Sequence, residues 1–207
     1  TRVLSGPYST MYLVDKGAYL IKIEAVGHGD DSRQFGPYVN GESAYFMSIN
    51  RNKKSITMNL KNPEAIETFK EMVKKADVVV ENFRPGTMEK LGIGYEALKE
   101  INPSIIYAAA SGFGHTGPYS KRAAYDAVVQ AMGGIMSITG PAGGPPVRVG
   151  SSIGDITAGL FCAIGILAAV CHKKDTGEGQ KVDVAMLDCQ IAILENAISR
   201  YFVTGVS

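Results

Sequence analysis

The sequence predicts an open α/β fold, a mostly parallel sheet flanked by helices, and three observations carry that expectation. Short runs rich in β-branched and aromatic residues are bounded by glycine or charge, which is the signature of strands. Two of these runs, ADVVVENF (76–83) and PSIIYAAASG (103–112), are continuously apolar, as parallel strands covered on both faces must be. Helical patterns lie between the strands, and the resulting order of strand, helix, strand, helix, strand implies parallel pairing through crossovers.

The first strands are YLIKIEA (19–25) and SITMNL (55–60). In NPEAIETFKEMVKKA (62–76), Asn62 is an N-cap and Pro63 takes the first helical position, while Ile66, Phe69, Met72 or Val73, and Ala76 share one face. GYEALKEIN (94–102) forms a second helix before the strand at 103. After residue 120 the texture changes. YDAVVQAMGGIM (125–136) and DITAGLFCAIGILAAVCHKK (155–174) read as helices whose small residues permit close packing. GQKVDVAMLD (179–188) reads as a strand running into a last helix, CQIAILENAISRYF (189–202). The stretches GFGHTGPYS (112–120) and TGPAGGPPVRVGSSIG (139–154) are loops by composition, and there are no internal repeats.

A chain of 207 residues with 45% apolar content buries one substantial core, as one domain or two small ones. The net charge is +1, from 21 basic and 20 acidic residues, so bulk electrostatics imply neither nucleic acid nor anionic membrane as a partner. An anionic ligand must be met locally. The three cysteines, Cys162, Cys171 and Cys189, form no CxxC pair, and two lie in apolar helical pattern as small hydrophobes. A reducing compartment fits, so a cytoplasmic location, or an organelle matrix in a eukaryote, is expected. The longest uncharged run, 156–171, falls short of the roughly 20 residues that cross a bilayer, and no membrane span is expected. The chain starts on Thr1 and closes on SRYFVTGVS without an obvious terminal device, so a piece of a longer protein is expected.

Several patterns invite a chemistry and must be weighed. GFGHTG (112–117) matches the GxGxxG spacing after a strand, but Pro118 follows at once and no helix begins until about Arg122, so it reads as a turn-rich loop. His28, His115 and His172 have no ligand-like spacing, and no metal site is expected. Neither a Gly-x-Ser-x-Gly elbow nor a phosphate-binding Gly-Lys-Ser/Thr loop is present. ENFRPG (81–86) closes a buried strand at its carboxyl end, where open α/β sheets bind ligands, with a simple turn as the alternative reading. NRNKKSI (50–56) gathers cations and amides and reads equally as a solvated face or an anion pocket. Asp155 stands alone before the uncharged run. As an N-cap it satisfies the unpaired N–H groups of a helix. As a nucleophile it is held ionised by the helix dipole beside backbone donors. Both readings use the same geometry.

Together, TRVLSGPYSTM (1–11), YLIKIEAVGHGDDSR (19–33), NRNKKSITMNLK (50–61), VVVENFRPGTMEKLGIGYEALKEINPSIIYAAASGFGHTGP (78–118), RAAYDAVVQAMGG (122–134) and TGEGQKVDVAMLD (176–188) resemble the family III coenzyme A transferases. That group includes formyl-CoA transferase and carnitine CoA-transferase. Within it, TRVLSGP, NRNKKSI, YDAVVQAMGG and ITGP followed by PVRVG resemble the branch of succinyl-CoA:glutarate CoA-transferase. The resemblance implies a Rossmann-like sheet over residues 1–207, the large domain and N-terminal part of a fold whose two full-length chains interlock as a homodimer.

The resemblance places the nucleophile at Asp155, in IGDITAG. It implies CoA transfer from an acyl-CoA, with succinyl-CoA expected, to a small carboxylic acid, with a dicarboxylate expected, through aspartyl anhydride and aspartyl-CoA thioester intermediates. The CoA thioester is a substrate, and no permanently bound cofactor is expected. The family's CoA contacts fall on Leu4 and Ser5, on Met58, Asn59, Leu60 and Lys61, on Asn82, Phe83 and Arg84, on Lys90, and on Ala123, Ala124, Tyr125 and Asp126. Gly154 and Gly159 allow close backbone approach, and Arg51 is the expected anchor for a distal carboxylate. A 2-methylacyl-CoA racemase of the same family and a non-catalytic CoA-binding subunit are the alternatives. Racemases of the family carry a histidine where this chain has Tyr125, and a phenol, with a reference pKa of about 10, is a poor base at neutral pH.

Overall fold

The computed structural model describes residues 1–206. The chain begins with α1 (Ser5–Asp15), β1 (Ile21–Glu24), a short 3-10 turn and a small hairpin, β2 (Tyr38–Val39) and β3 (Glu42–Ser43). It continues through α2 (Ala44–Asn50), β4 (Lys54–Thr57), α3 (Pro63–Val73), β5 (Val78–Glu81), α4 (Thr87–Lys90), α5 (Tyr95–Ile101) and β6 (Ile106–Ser111). The last part holds α6 (Asp126–Met132), α7 (Ile153–Thr176), β7 (Lys181–Ala185), α8 (Met186–Ala192) and α9 (Asn196–Thr204).

β5, β6 and β7 form a three-stranded parallel sheet in that order, with β6 at its centre and buried at every position. The strand's period of two sorts its side chains into two cores. Ala108 and Ala110 face α6, α7 and α8, joining Val129, Ala158, Cys162, Ile166 and Cys189. Tyr107 and Ala109 face α3 and α5, joining Phe69, Val73, Ile93 and Leu98. The result is a helix, sheet, helix sandwich, and the two alanines on the α7 side let that helix lie close to the strand. β1 and β4 pair in parallel as a separate two-stranded sheet. The expected single sheet is therefore in two pieces, joined by side chains, with Ile23, Met58 and Leu60 packing beside Val79 and Tyr107.

The helix expected at 62–76 is α3, with the Asn62 side chain accepting from the Glu64 N–H and Pro63 in the first turn. The helix expected at 125–136 stops at Met132, because Gly134 adopts a left-handed conformation before a 3-10 turn. The last helix, expected as one piece over 189–202, is α8 and α9 with a break at Glu195, whose φ is 40°. α7 is longer than its uncharged run and reaches 24 residues, enough to cross a membrane by length and composition. Here one side of it is buried against α1, β6, β7 and α8. The buried cysteines are Cys162 and Cys189, and burial pushes their thiols up to about 11 and about 12; Cys171 is exposed.

Candidate active site

Asp155 is the third residue of α7, inside the first turn. The capping position belongs to Ser152, so the reading of Asp155 as the cap of its own helix is corrected. What it serves is a different helix. α1 opens at Ser5, and Leu4 at its N-cap offers no side-chain acceptor. The Ser5 N–H and hydroxyl both act on the Asp155 carboxylate. Asp155 thus supplies from α7 the acceptor that the first turn of α1 lacks. The helices can meet this closely because a Cβ on Gly159, one turn beyond Asp155, would lie 2.9 Å from the Ser5 carbonyl oxygen.

Burial is the main influence on Asp155 and raises its pKa to about 6; the Asp126 charge adds to this, while the two Ser5 donors pull against it. The helix dipole was expected to hold the group ionised. Desolvation and a like charge raise its pKa, and at about 6 the group is still mostly ionised at neutral pH. Tyr45 is half-buried against the cluster of Leu4, Met11 and Ile49, on which Ile156 also packs. Burial and the Asp155 charge both raise its phenol.

Asp126 opens α6 and is buried. Its Oδ1 accepts the Gly154 N–H at 2.8 Å, and its Oδ2 accepts from Gln130 Nε2 at 2.8 Å and from Arg148 Nε at 3.2 Å. A Cβ on Gly154 would fall 2.6 Å from a Val129 methyl, so only glycine lets α6 approach and this bond form. The close approach expected at Gly154 and Gly159 therefore exists, but toward neighbouring helices. Asp126 is a clasp on the residue before Asp155. Gln130 extends the clasp by accepting the Val149 N–H at 2.9 Å, which ties the glycine- and proline-rich loop to α6.

The other sequence-predicted residues separate into groups. Leu60, Lys61 and Lys90 share a cleft of about 420 Å³ with Pro63, Ile66, Glu67 and Leu91. Met58 and Phe83 pack with Leu60 below it. Asn59 shapes the turn, its Oδ1 accepting the Lys61 N–H at 3.1 Å, and Arg84 is exposed. Asn82 donates to Ser5 Oγ at 3.3 Å and to the Arg2 carbonyl at 2.8 Å, so the end of β5 is linked to the serine that meets Asp155. Ala123 and Tyr125 are exposed and Ala124 is half-buried. Leu4 and Asp126 are both buried at 7% exposure, so their side chains support the site from within instead of lining it.

The cations of residues 50–56 do not converge. Arg51 pairs with Asp15 and donates to the Ser48 carbonyl, at the far end of α1 from Ser5, an axial rise of about 15 Å. Arg51 also reaches Met11 Sδ at 3.0 Å, and its guanidinium is thus engaged by Asp15, Ser48 and Met11, with no contact to Asp155 among the described residues. Lys53 turns inward to the Pro7 carbonyl at 2.7 Å and Asn50 Oδ1 at 3.0 Å, and burial lowers its pKa to about 7. The loop 112–120 has no helix behind it; its His115 lies between Lys181 Nζ at 3.1 Å and Glu81 Oε1 at 3.5 Å. Among the described residues no group of three His, Cys, Asp or Glu side chains is gathered that could hold a metal.

Residues 1–207 match the model of CoA-transferase family III throughout. The chain belongs to that family. It is 51% identical over 206 residues to an acetyl-CoA:oxalate CoA-transferase of Acetobacter aceti, covering 99% of this chain and 53% of that one. It is 47% identical over 204 residues to the human succinyl-CoA:glutarate CoA-transferase, covering 98% and 47%. A crystal structure of a CAIB/BAIF family protein from Brucella suis superposes with a TM-score of 0.95 at 43% identity, over 100% of this chain and 56% of that one. The chain spans about half the length of the curated relatives it matches.

In this family III chain, sequence reasoning missed Tyr45 and Arg148 as neighbours of the site. Tyr45 had a local signal: Ser43 before an apolar run is a helix start, and its hydroxyl does accept the Phe46 N–H at 3.0 Å. Arg148 had none, because its place depends on Gln130 folding a loop without secondary structure back onto α6.

Proposed function

We propose that the full-length protein transfers CoA from an acyl-CoA, with succinyl-CoA the preferred donor, to a dicarboxylic acid acceptor, with Asp155 as nucleophile. The observation that carries this reading is a half-buried carboxylate at the junction of two helix N-termini, its pKa raised to about 6 and the Ser5 N–H beside it. A carboxylate oxygen attacks the thioester carbonyl, the C–S bond breaks, and CoA leaves as thiolate with the bonding pair. The thiolate attacks the aspartyl carbonyl of the resulting anhydride, releasing the donor acid and leaving an aspartyl-CoA thioester. The acceptor carboxylate expels the thiolate to form a second anhydride, and the thiolate takes the acceptor's acyl group and frees Asp155.

The raised pKa matters to the energetics. An ordinary aspartate expelling a thiolate of pKa about 8.5 works uphill by roughly 4 to 5 units, about 6 kcal/mol if leaving ability follows basicity. With Asp155 at about 6, the gap narrows to roughly 2.5 units, about 3 kcal/mol. The remainder falls to oxyanion stabilisation by N–H groups such as that of Ser5, and to binding energy from the distant end of CoA. We assign the CoA phosphates to Lys61 and Lys90 and its base to Leu60, Pro63, Ile66 and Leu91, a reading supported by the cleft these residues share.

Racemisation is less well served. Tyr125 is 77% exposed, and the three histidines lie elsewhere, His115 beside Glu81 and Lys181, His28 and His172 on the surface. The test is mass spectrometry of the full-length protein after exposure to succinyl-CoA, reading the peptide 150–174. A CoA or acyl adduct on Asp155, absent in Asp155→Asn together with turnover, is expected. Full turnover by Asp155→Asn would refute the proposal and leave a CoA-binding role.

A further inference from the structure

The transfer reading leaves open which group meets the far carboxylate of a dicarboxylic acid. Arg51 is held by Asp15 at the other end of α1. Another guanidinium stands at the site. Arg148 lies in the loop before α7, and its side chain is 46% exposed. Its Nε and one Nη both reach a single oxygen, Asp126 Oδ2, at 3.2 Å each, instead of forming the two parallel bonds of a bidentate pair. Asp126 does not depend on it, since the Gly154 N–H and Gln130 Nε2 satisfy the same carboxylate at 2.8 Å. The second Nη has no partner among the described residues. Arg148 is therefore a half-exposed cation on long contacts, linked toward Asp155 through Asp126, which accepts the N–H of the neighbouring Gly154.

We propose that Arg148 selects acceptor acids carrying a second carboxylate. The inference rests on the CoA-transfer reading and adds the residue that sets its acceptor class. An acid attacking at Asp155 with one carboxylate presents the other toward the loop 139–152, where the guanidinium can turn its unpaired edge to it in bidentate fashion. A monocarboxylic acid offers nothing in exchange, and Arg148 stays with Asp126. The contact with a ligand carboxylate costs the protein little, because Asp126 keeps its two shorter bonds.

The experiment measures kcat/KM of the full-length protein for glutarate and for pentanoate, an acid of equal chain length with one carboxylate, using succinyl-CoA as donor for both. The ratio of the two values cancels any effect on the donor. Wild type is expected to favour glutarate by tenfold or more. Arg148→Gln is expected to reduce that ratio at least tenfold with the pentanoate value within about threefold of wild type, and Arg148→Lys to restore part of the ratio. A wild-type ratio near one, or a loss shared equally by both acids, would overturn the inference, the latter assigning Arg148 a structural role through Asp126. Absence of transfer to every acid by wild type would sink the transfer reading itself. Normal transfer with an unmoved ratio in Arg148→Gln would sink the Arg148 assignment alone.

Discussion

Asp155 sits where two opposing demands meet. A nucleophile must be ionised, yet burial and the Asp126 charge favour its neutral form and raise its pKa to about 6. The protonated carboxyl lacks the charge that attacks a thioester, so kcat/KM is expected to fall about tenfold per pH unit below about 6 and to level off above it. Asp126 contributes to the rise as a neighbouring negative charge. Asp126→Asn is accordingly expected to move this limb to lower pH, because removing a like charge favours ionisation. A pH profile of the two proteins from about 4.5 to 8 with succinyl-CoA checks both statements, and a limb that stays in place in the variant would show that burial alone sets the value. That residue-scale chemistry was only half legible in the sequence. The isolation of Asp155 from other charge along the chain was visible, but its partners Ser5 and Asp126 are distant in sequence, and only the packing of α1 and α6 on α7 sets their balance.

At the scale of elements, legibility followed local physics. α3 was readable because its cap, its proline and its apolar stripe all agree. α1 was not, because SGPYSTMYLVD is poor in strong helix formers, and its helical state is imposed by contact with α7. The split of the last helix at Glu195 likewise leaves no sequence signal, since a non-glycine residue at φ 40° is held by its surroundings. The α1–α7 contact is also what builds the site, and it turns on Gly159. Alanine there would bring a Cβ to 2.9 Å from the Ser5 carbonyl oxygen and about 3.1 Å from the Tyr8 ring, forcing the helices apart. Gly159→Ala is expected to lose about 1–3 kcal/mol of stability and to lower the transfer rate of the folded protein, because Ser5 moves away from Asp155. Gly165→Ala is the matched control: its Cβ would lie 2.6 Å from a Val182 methyl, on the sheet and away from Ser5. It is expected to lose stability while keeping its rate. Equal rates for the two folded variants would mean that the spacing of α1 and α7 does not govern the chemistry.

The whole molecule keeps large apolar side chains in water. On α7, Phe161, Ile164 and Leu167 are exposed on the side away from β6, and on α9 Tyr201, Phe202 and Val203 are exposed as well. Contiguous apolar surface of this kind marks a face that something covers. The chain spans about half the length of the relatives it matches. We therefore expect that in the full-length protein, further protein surface covers the α7 strip. The alternative cover is a bilayer, since α7 is long and apolar enough to cross one. Ile164→Glu with Leu167→Glu separates these possibilities. On a surface that stays wet, such substitutions change stability by no more than about 0.5 kcal/mol. Under a protein interface each buries an unpaired charge, and the pair is expected to cost at least about 2 kcal/mol, seen as a lower denaturation midpoint and a smaller particle in sedimentation. An unchanged midpoint and particle size would leave the strip in water. Flotation of wild type with lipid vesicles, lost in the double variant, would assign the strip to a membrane.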